Sequence, residues 1–437
     1  PTSGTLCQPQ TATTRSIQKS ERTMSYSLIH NGTVIDGNGR SPISNAAVLI
    51  RDNKIEQVGR KSDIRLPNSD VQMIDAQGGH ILPGLIDTHI HFIFDGINFN
   101  EAMNTPFSLN YYKAIEPMRR TLDAGITSVR DAGGVDLGMK QAVEQGYIAG
   151  PRMQISISVL TITGGHGDSW LPSGLDFGLI PPTPGRPSGL CDGVDEVRKK
   201  VREVLRAGAD IIKVCSTGGV LSPTDHPEFT QFTPEELAVM VQEAAYRRGI
   251  KVMAHAQGAE GIKNAVRAGI HSIEHGIYVD DEAIELMLAR GTFLVPTLLA
   301  PLAVLEAAEA GGNMPEWGIR KSREVIEIHS ENIGKAFKAG VKVAMGTDAG
   351  VMKHGTNLRE LGLMCNVGLS PMESIVATTK TAAECLGWED KVGTLESGKL
   401  ADVIVTRTNP LADIRSLEDV DNIRLVMKDG RIVKNLM

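Results

Sequence analysis

The sequence predicts a (β/α)₈ TIM barrel, with a small β-sandwich domain built from both ends of the chain. Three observations predict it. Eight apolar strand candidates run through residues 82–393, with helical stretches between most of them. Short strand-and-turn patterns occupy residues 24–81 and 394–437. His, Lys and Asp fall at the ends of five of the eight strands, where barrels of this kind gather their reactive groups. An open doubly wound sheet is the competing fold, but no Gly-x-Gly-x-x-Gly follows a first strand to support it.

Composition narrows the function. The chain has 437 residues and 41% hydrophobic content, enough for one large core and a smaller one. A net charge of -7 argues against nucleic acid or an anionic membrane as the main partner. No apolar run approaches the ~20 residues of a membrane span. The five Cys are scattered without a Cys-x-x-Cys, which suggests free thiols and, by default, a cytoplasmic setting. Residues 1–23 are rich in Thr, Ser and Gln and read as a disordered extension, with Met24 as the natural start.

In chain order, Ser27–His30 leads through Asn31-Gly32 to Thr33–Ile35, and Ala46–Ile50 through Asp52-Asn53 to Lys54–Gly59. Both junctions are hairpin signals. Ala401–Val405 and Ile423–Val433 repeat the pattern at the other end, so the two ends are expected to meet. The first barrel strand runs up to His89-Ile90-His91. The later candidates are Ile126–Arg130, Arg152–Leu160, Asp210–Cys215, Lys251–His255, Ser272–His275, Thr292–Leu298 and Val341–Met345. Helices are expected at Val194–Ala207, Pro234–Arg248, Gly261–Ala268 and Asp281–Arg290. Thr233, Pro234 and Glu236 form a helix start, and Gly208, Gly249, Gly269 and Gly291 fall at the stops. His166–Gly193 is rich in Pro and Gly and reads as a loop over the site.

Strand periodicity aims His89 and His91 the same way, a natural start for a metal site. Lys213 lies on the face opposite Ile212 and Val214. His255 and His275 end the fifth and sixth strands, and Asp348 ends the eighth. Singly, each has an ordinary explanation, such as a packed histidine, an ion-pair lysine or a turn-capping aspartate. Together, four His, a Lys and an Asp at five strand ends in this order are hard to obtain by chance. His271 and His275 are four apart but lie on a strand, which argues against a helical His-x-x-x-His site.

These residues, with Pro83–His91, Thr127–Gly134, Thr163–His166, Ser216–Val220, Gly346–Asp348 and Gly393–Asp402, resemble the amidohydrolase superfamily, in particular its prolidase-like and imidazolonepropionase-related branch. The resemblance covers nearly all of Met24–Met437. It implies two divalent metal ions, usually zinc, with His89, His91 and Asp348 on one and His255 and His275 on the other. Lys213 would bridge them as a carboxylated lysine, since an ammonium has no acceptor to ligate with. It further implies that Asp348 takes a proton from an activated water and passes it to the leaving nitrogen, and that His166 contacts substrate. A homo-oligomer is common in the branch.

The expected activity is hydrolysis of small amides, dipeptides such as Xaa-Pro or N-acyl amino acids. A cyclic-amide or aryl-amide hydrolase is the alternative, and a non-catalytic scaffold the third reading. Arg130 is placed to pair with a substrate carboxylate or, by preference, with Asp131. Phe232 stands where prolidase-like members carry a tyrosine. The missing hydroxyl argues against Xaa-Pro specificity and for a more apolar pocket.

Overall fold

Chain segments with no side-chain face toward water must be apolar on both sides, and the central strands meet that demand. All six residues of Leu85–Ile90 and of Ile126–Asp131 are buried. The computed structural model describes residues 24–96, 98–171, 173–176 and 180–437. The expected disorder of residues 1–23 lies outside the described residues.

The central strands are all parallel. Leu85–Ile90, Ile126–Asp131 and Arg152–Ile155 form a three-stranded sheet. Val159–Leu160, Ile212–Cys215, Val252–Ala256, Ser272–His275 and Phe293–Val295 form a five-stranded one. The sequence reads Arg152–Leu160 as one strand, but the chain breaks at Ile157, where φ is 67°. That left-handed conformation is costly for a β-branched residue and ends the ladder. Val341–Met345, expected as the eighth strand, makes only bridges. Val343 pairs with Leu294 and Ala349 with Ile90. Ala344 N donates to Leu294 O, while Thr88 N donates to Met345 O. The segment thus touches the sheets on either side at different heights, too briefly for a continuous ladder.

Helices Gly193–Arg206, Pro234–Ala245, Ala259–Ala268 and Asp281–Arg290 alternate with these strands within two residues of the expected starts. Each buries one stripe, as Val197, Val201, Val204 and Leu205 do on the first. The Thr233 hydroxyl accepts from Glu236 N while the Glu236 carboxylate accepts from Thr233 N, a complete capping box.

Strands from both chain ends share one eight-stranded sheet. Its pairing runs through Tyr26–Val34, Ile43–Arg51 and Lys54–Arg60 on one side. His80–Pro83, Val403–Thr406, Ile423–Lys428 and Arg431–Asn435 continue it on the other. Pairing traces one sheet through all of these strands. Asp52, at φ 57°, makes the predicted hairpin, but Asn31-Gly32 does not. Asn31 has φ 60° inside the continuous strand Tyr26–Val34, and the register slips there. The same tolerance for positive φ serves a bulge rather than a turn. Residues including Ile29, Val48, Val403 and Leu425 pack inside this sheet as a core distinct from that of the central strands.

Candidate metal centre

His89 and His91 leave the first central strand on one side, as the two-residue period requires. His91 Nε2 lies 3.3 Å and His89 Nε2 3.5 Å from Asp348 Oδ1. These three residues form a group that could hold a metal ion. Lys213 Nζ stands 3.3 Å from His89 Nε2. The His89 ring is 5.2 Å from that of His275, which is 4.5 Å from that of His255. All six predicted ligands thus meet in one place.

The surroundings fix which nitrogen each ring presents. His89 Nδ1 contacts Glu274 Oε2 at 2.8 Å and His91 Nδ1 contacts Gly133 O at 2.9 Å, so both rings turn Nε2 toward Asp348. Burial lowers the His91 pKa, but the Asp348 carboxylate more than offsets this and raises it. His275 Nδ1 bonds Thr297 Oγ1 at 2.7 Å, so that nitrogen is engaged away from Nε2. His255 donates through Nε2 to Gly218 O at 3.0 Å, which frees Nδ1. Burial also drives the pKa of His89, His255 and His275 well down, keeping them neutral. Neutral imidazoles locked through the second nitrogen are the form that ligates cations, so the donor set fits divalent metal.

Several supporting residues escaped the sequence reading. Glu274 is fully buried and accepts from His89, from Arg130 Nη2 at 2.8 Å and from the Ser272 hydroxyl at 2.6 Å. Arg130 also donates to Thr88 O at 2.6 Å. It is thus internal, but its partner is Glu274; Asp131 instead accepts from Phe92, Gly133 and Val135 N–H groups. An Arg130 that ends its strand inside the protein cannot meet a substrate carboxylate. Asp87 accepts from His89 N, Thr347 and Asn357, and burial raises its pKa to about 6. Its parity with His89 and His91 was the available signal. Replacing Arg130 with Met leaves the Glu274 charge buried and unpaired. The expected cost is about 3–5 kcal/mol of stability, read from denaturant unfolding of the metal-free protein; a loss under 1 kcal/mol would contradict this account.

His166 stacks on His255 with ring centroids 4.1 Å apart. It borders an open cleft of about 1360 Å³ and an adjoining recess of about 410 Å³, and His255, His275 and Asp348 border both. The loop after the third strand covers the cleft with Asp168, Ile180, Pro181, Ser188 and Leu190. The recess is walled by Val220, Ile277, Ala300 and Val304. Phe232 does not reach either space. It is 5% exposed, packs in the main core and sits at φ 58°. The expectation that its phenyl ring sets the pocket's polarity is therefore set aside. His271 turns away and bonds Cys385 O at 3.1 Å.

A parallel α/β architecture with this ring of candidate ligands at its strand ends fits a metal-assisted hydrolase class. The chain belongs to the Amidohydrolase family, whose model matches residues 80–433. It is an enzyme, a hydrolase acting on C–N bonds. It is 36% identical over 425 residues to the ochratoxinase of Aspergillus niger, covering 93% of this chain and 86% of that one. A Xaa-Pro dipeptidase solved with methionine in its active site is similar, with TM-score 0.84 and 36% identity over 94% of this chain and 100% of that one. A prolidase solved with N-methylphosphonate-L-proline matches with TM-score 0.86 and 33% identity, again over 94% and 100%. Among the described residues, no helix is long and apolar enough to cross a membrane.

Proposed function

We propose that this protein is a binuclear metal-dependent hydrolase of small amides, cleaving dipeptides or N-acyl amino acids. The observation that carries the reading is the convergence of His89, His91 and Asp348 with Lys213, His255 and His275 at the junction of a cleft and a recess. His89, His91 and Asp348 would hold one ion and His255 and His275 the second, with zinc the preferred metal. Bound cations supply Lewis acidity toward the scissile carbonyl and ease deprotonation of water.

Lys213 would join the two halves as a carbamate. Burial lowers its pKa, with Glu274 and other charges acting as smaller influences. The neutral amine is the form that adds CO₂, making an N–C bond and releasing one proton. The product offers two anionic oxygens where the ammonium offers none.

Asp348 takes a proton from the attacking water and delivers it to the leaving nitrogen, which departs as a neutral amine. His166, at the junction of cleft and recess, contacts the substrate. Loop residues Asp168, Pro181 and Leu190 narrow access to water. Cyclic-amide hydrolysis with one metal is the weaker reading, because it leaves the buried Lys213 without a task.

The hydrogen bonds on both sides of residues 341–349 support reading the two parallel sheets as one closed eight-stranded barrel over 82–393. Residues 24–81 and 394–437 then form a second, discontinuous domain, its sheet folded over its own core into a sandwich. Unpaired Cys191, Cys215, Cys365 and Cys385 support a cytoplasmic setting.

The test is amine release from a panel of dipeptides and N-acyl amino acids, with zinc-loaded protein and its metal content measured. Turnover with two metals per chain is expected. Folded, metal-loaded protein that cleaves none of them would refute the substrate class.

A further inference from the structure

We propose that Lys321 and Asp225 form a buried anchor that positions His166 through two separate arms, Ser222 and Gln231. The inference rests on reading His166 as the substrate contact of an amide hydrolase.

Asp225 is 8% exposed and Lys321, from helix Glu316–Lys338, is 2% exposed. Charges rarely sit so deep unless paired. Lys321 Nζ donates to Gly219 O at 2.9 Å, to Ser222 O at 2.8 Å and to Asp225 Oδ1 at 3.4 Å. Its three donors are thereby used, all on the loop that follows the fourth central strand. The ammonium does not reach the cleft and has no part in the chemistry proposed above.

From Asp225 the first arm runs through Ser222, whose hydroxyl donates to Asp225 Oδ1. The hydroxyl's other acceptor is Gly219 O at 3.2 Å. Its single proton is therefore spent, and its oxygen must accept from His166 Nδ1 at 2.8 Å. That fixes the Nδ1–H tautomer and leaves Nε2 as the acceptor. The second arm is Gln231. Its amide nitrogen donates to Asp225 Oδ2 at 3.2 Å, and its carbonyl accepts from the His166 backbone N–H at 3.2 Å. One carboxylate therefore governs both the ring and the backbone of His166.

Gly219 completes the seat. A methyl group there would overlap the His166 ring, although its backbone is not left-handed. A Gly219→Ala change thus perturbs the ring by volume alone.

Two measurements test the proposal. Ser222→Ala is expected to lower kcat/KM about 10-fold with metal content unchanged, yet by less than about two-fold in a His166→Ala background. Gly219→Ala and Lys321→Met should show the same dependence on His166. Equal losses in both backgrounds would mean that the cluster merely stabilises the fold, and would overturn the proposal. The second measurement needs no substrate. Long-range ¹H–¹⁵N spectra of protein carrying ¹⁵N-histidine, assigned with His166→Ala, should show the Nδ1–H tautomer at His166 and lose that signature in Ser222→Ala. An Nε2–H form in the parent protein, or an unchanged signature in Ser222→Ala, would overturn it. Should the parent protein cleave no amide, the amide reading falls, and the spectra alone decide the anchor.

Discussion

Lys213→Ala is expected to abolish all but a residual activity, with kcat/KM down by about 10³-fold, which is about 4 kcal/mol. The side chain is buried 3.3 Å from His89 Nε2, where an unmodified ammonium would repel any cation held by that histidine. On the proposed carbamate reading, alanine removes the anionic ligand beside His255 and His275, so metal content should drop from two ions toward one. Short carboxylates added to the buffer should restore part of the rate, because they replace the missing anionic oxygens. Elemental analysis and rate, measured on one preparation, check this. Two metals and undiminished rate in Lys213→Ala would sink the bridging role of Lys213.

Asp348→Asn is expected to lower kcat by about 10²–10⁴-fold, the usual contribution of a positioned acid–base group. The substitution is unusually clean. Asp348 sits at φ 60°, a left-handed conformation that asparagine tolerates as well as aspartate. The Asn carbonyl retains an oxygen facing His91, so most of the metal should stay. A kcat that falls only in proportion to lost metal would show that Asp348 is a ligand without a proton-transfer role.

The grouping of the candidate ligands was legible because most stand on or just past a short strand whose alternation aims them, and because strand order sets which ends are neighbours. Lys213, for example, follows from parity against Ile212 and Val214 alone. The residues that support them were not legible. Glu274 precedes a ligand and looks like a simple neighbour; only the folded ring brings Arg130 and His89 against it. The Asp225–Lys321 pair joins a loop to a distant helix, and no local period reports such a meeting. Phe232 misled for a related reason. Its sequence position suggested a pocket residue, while the left-handed backbone turns it into the core. Asn31-Gly32 shows the same limit, since a bulge and a turn ask the same thing of the residue.

The pairing of Val403–Thr406 with His80–Pro83 bears on how the enzyme is made. His80–Pro83 runs directly into the strand that carries His89 and His91, and Gly84 N donates to Asp402 O at 2.8 Å. During synthesis the first histidine pair emerges early, while the strand that braces its base is still untranslated. The strand that carries these candidate ligands therefore gains its brace only once residues 403–406 have been made.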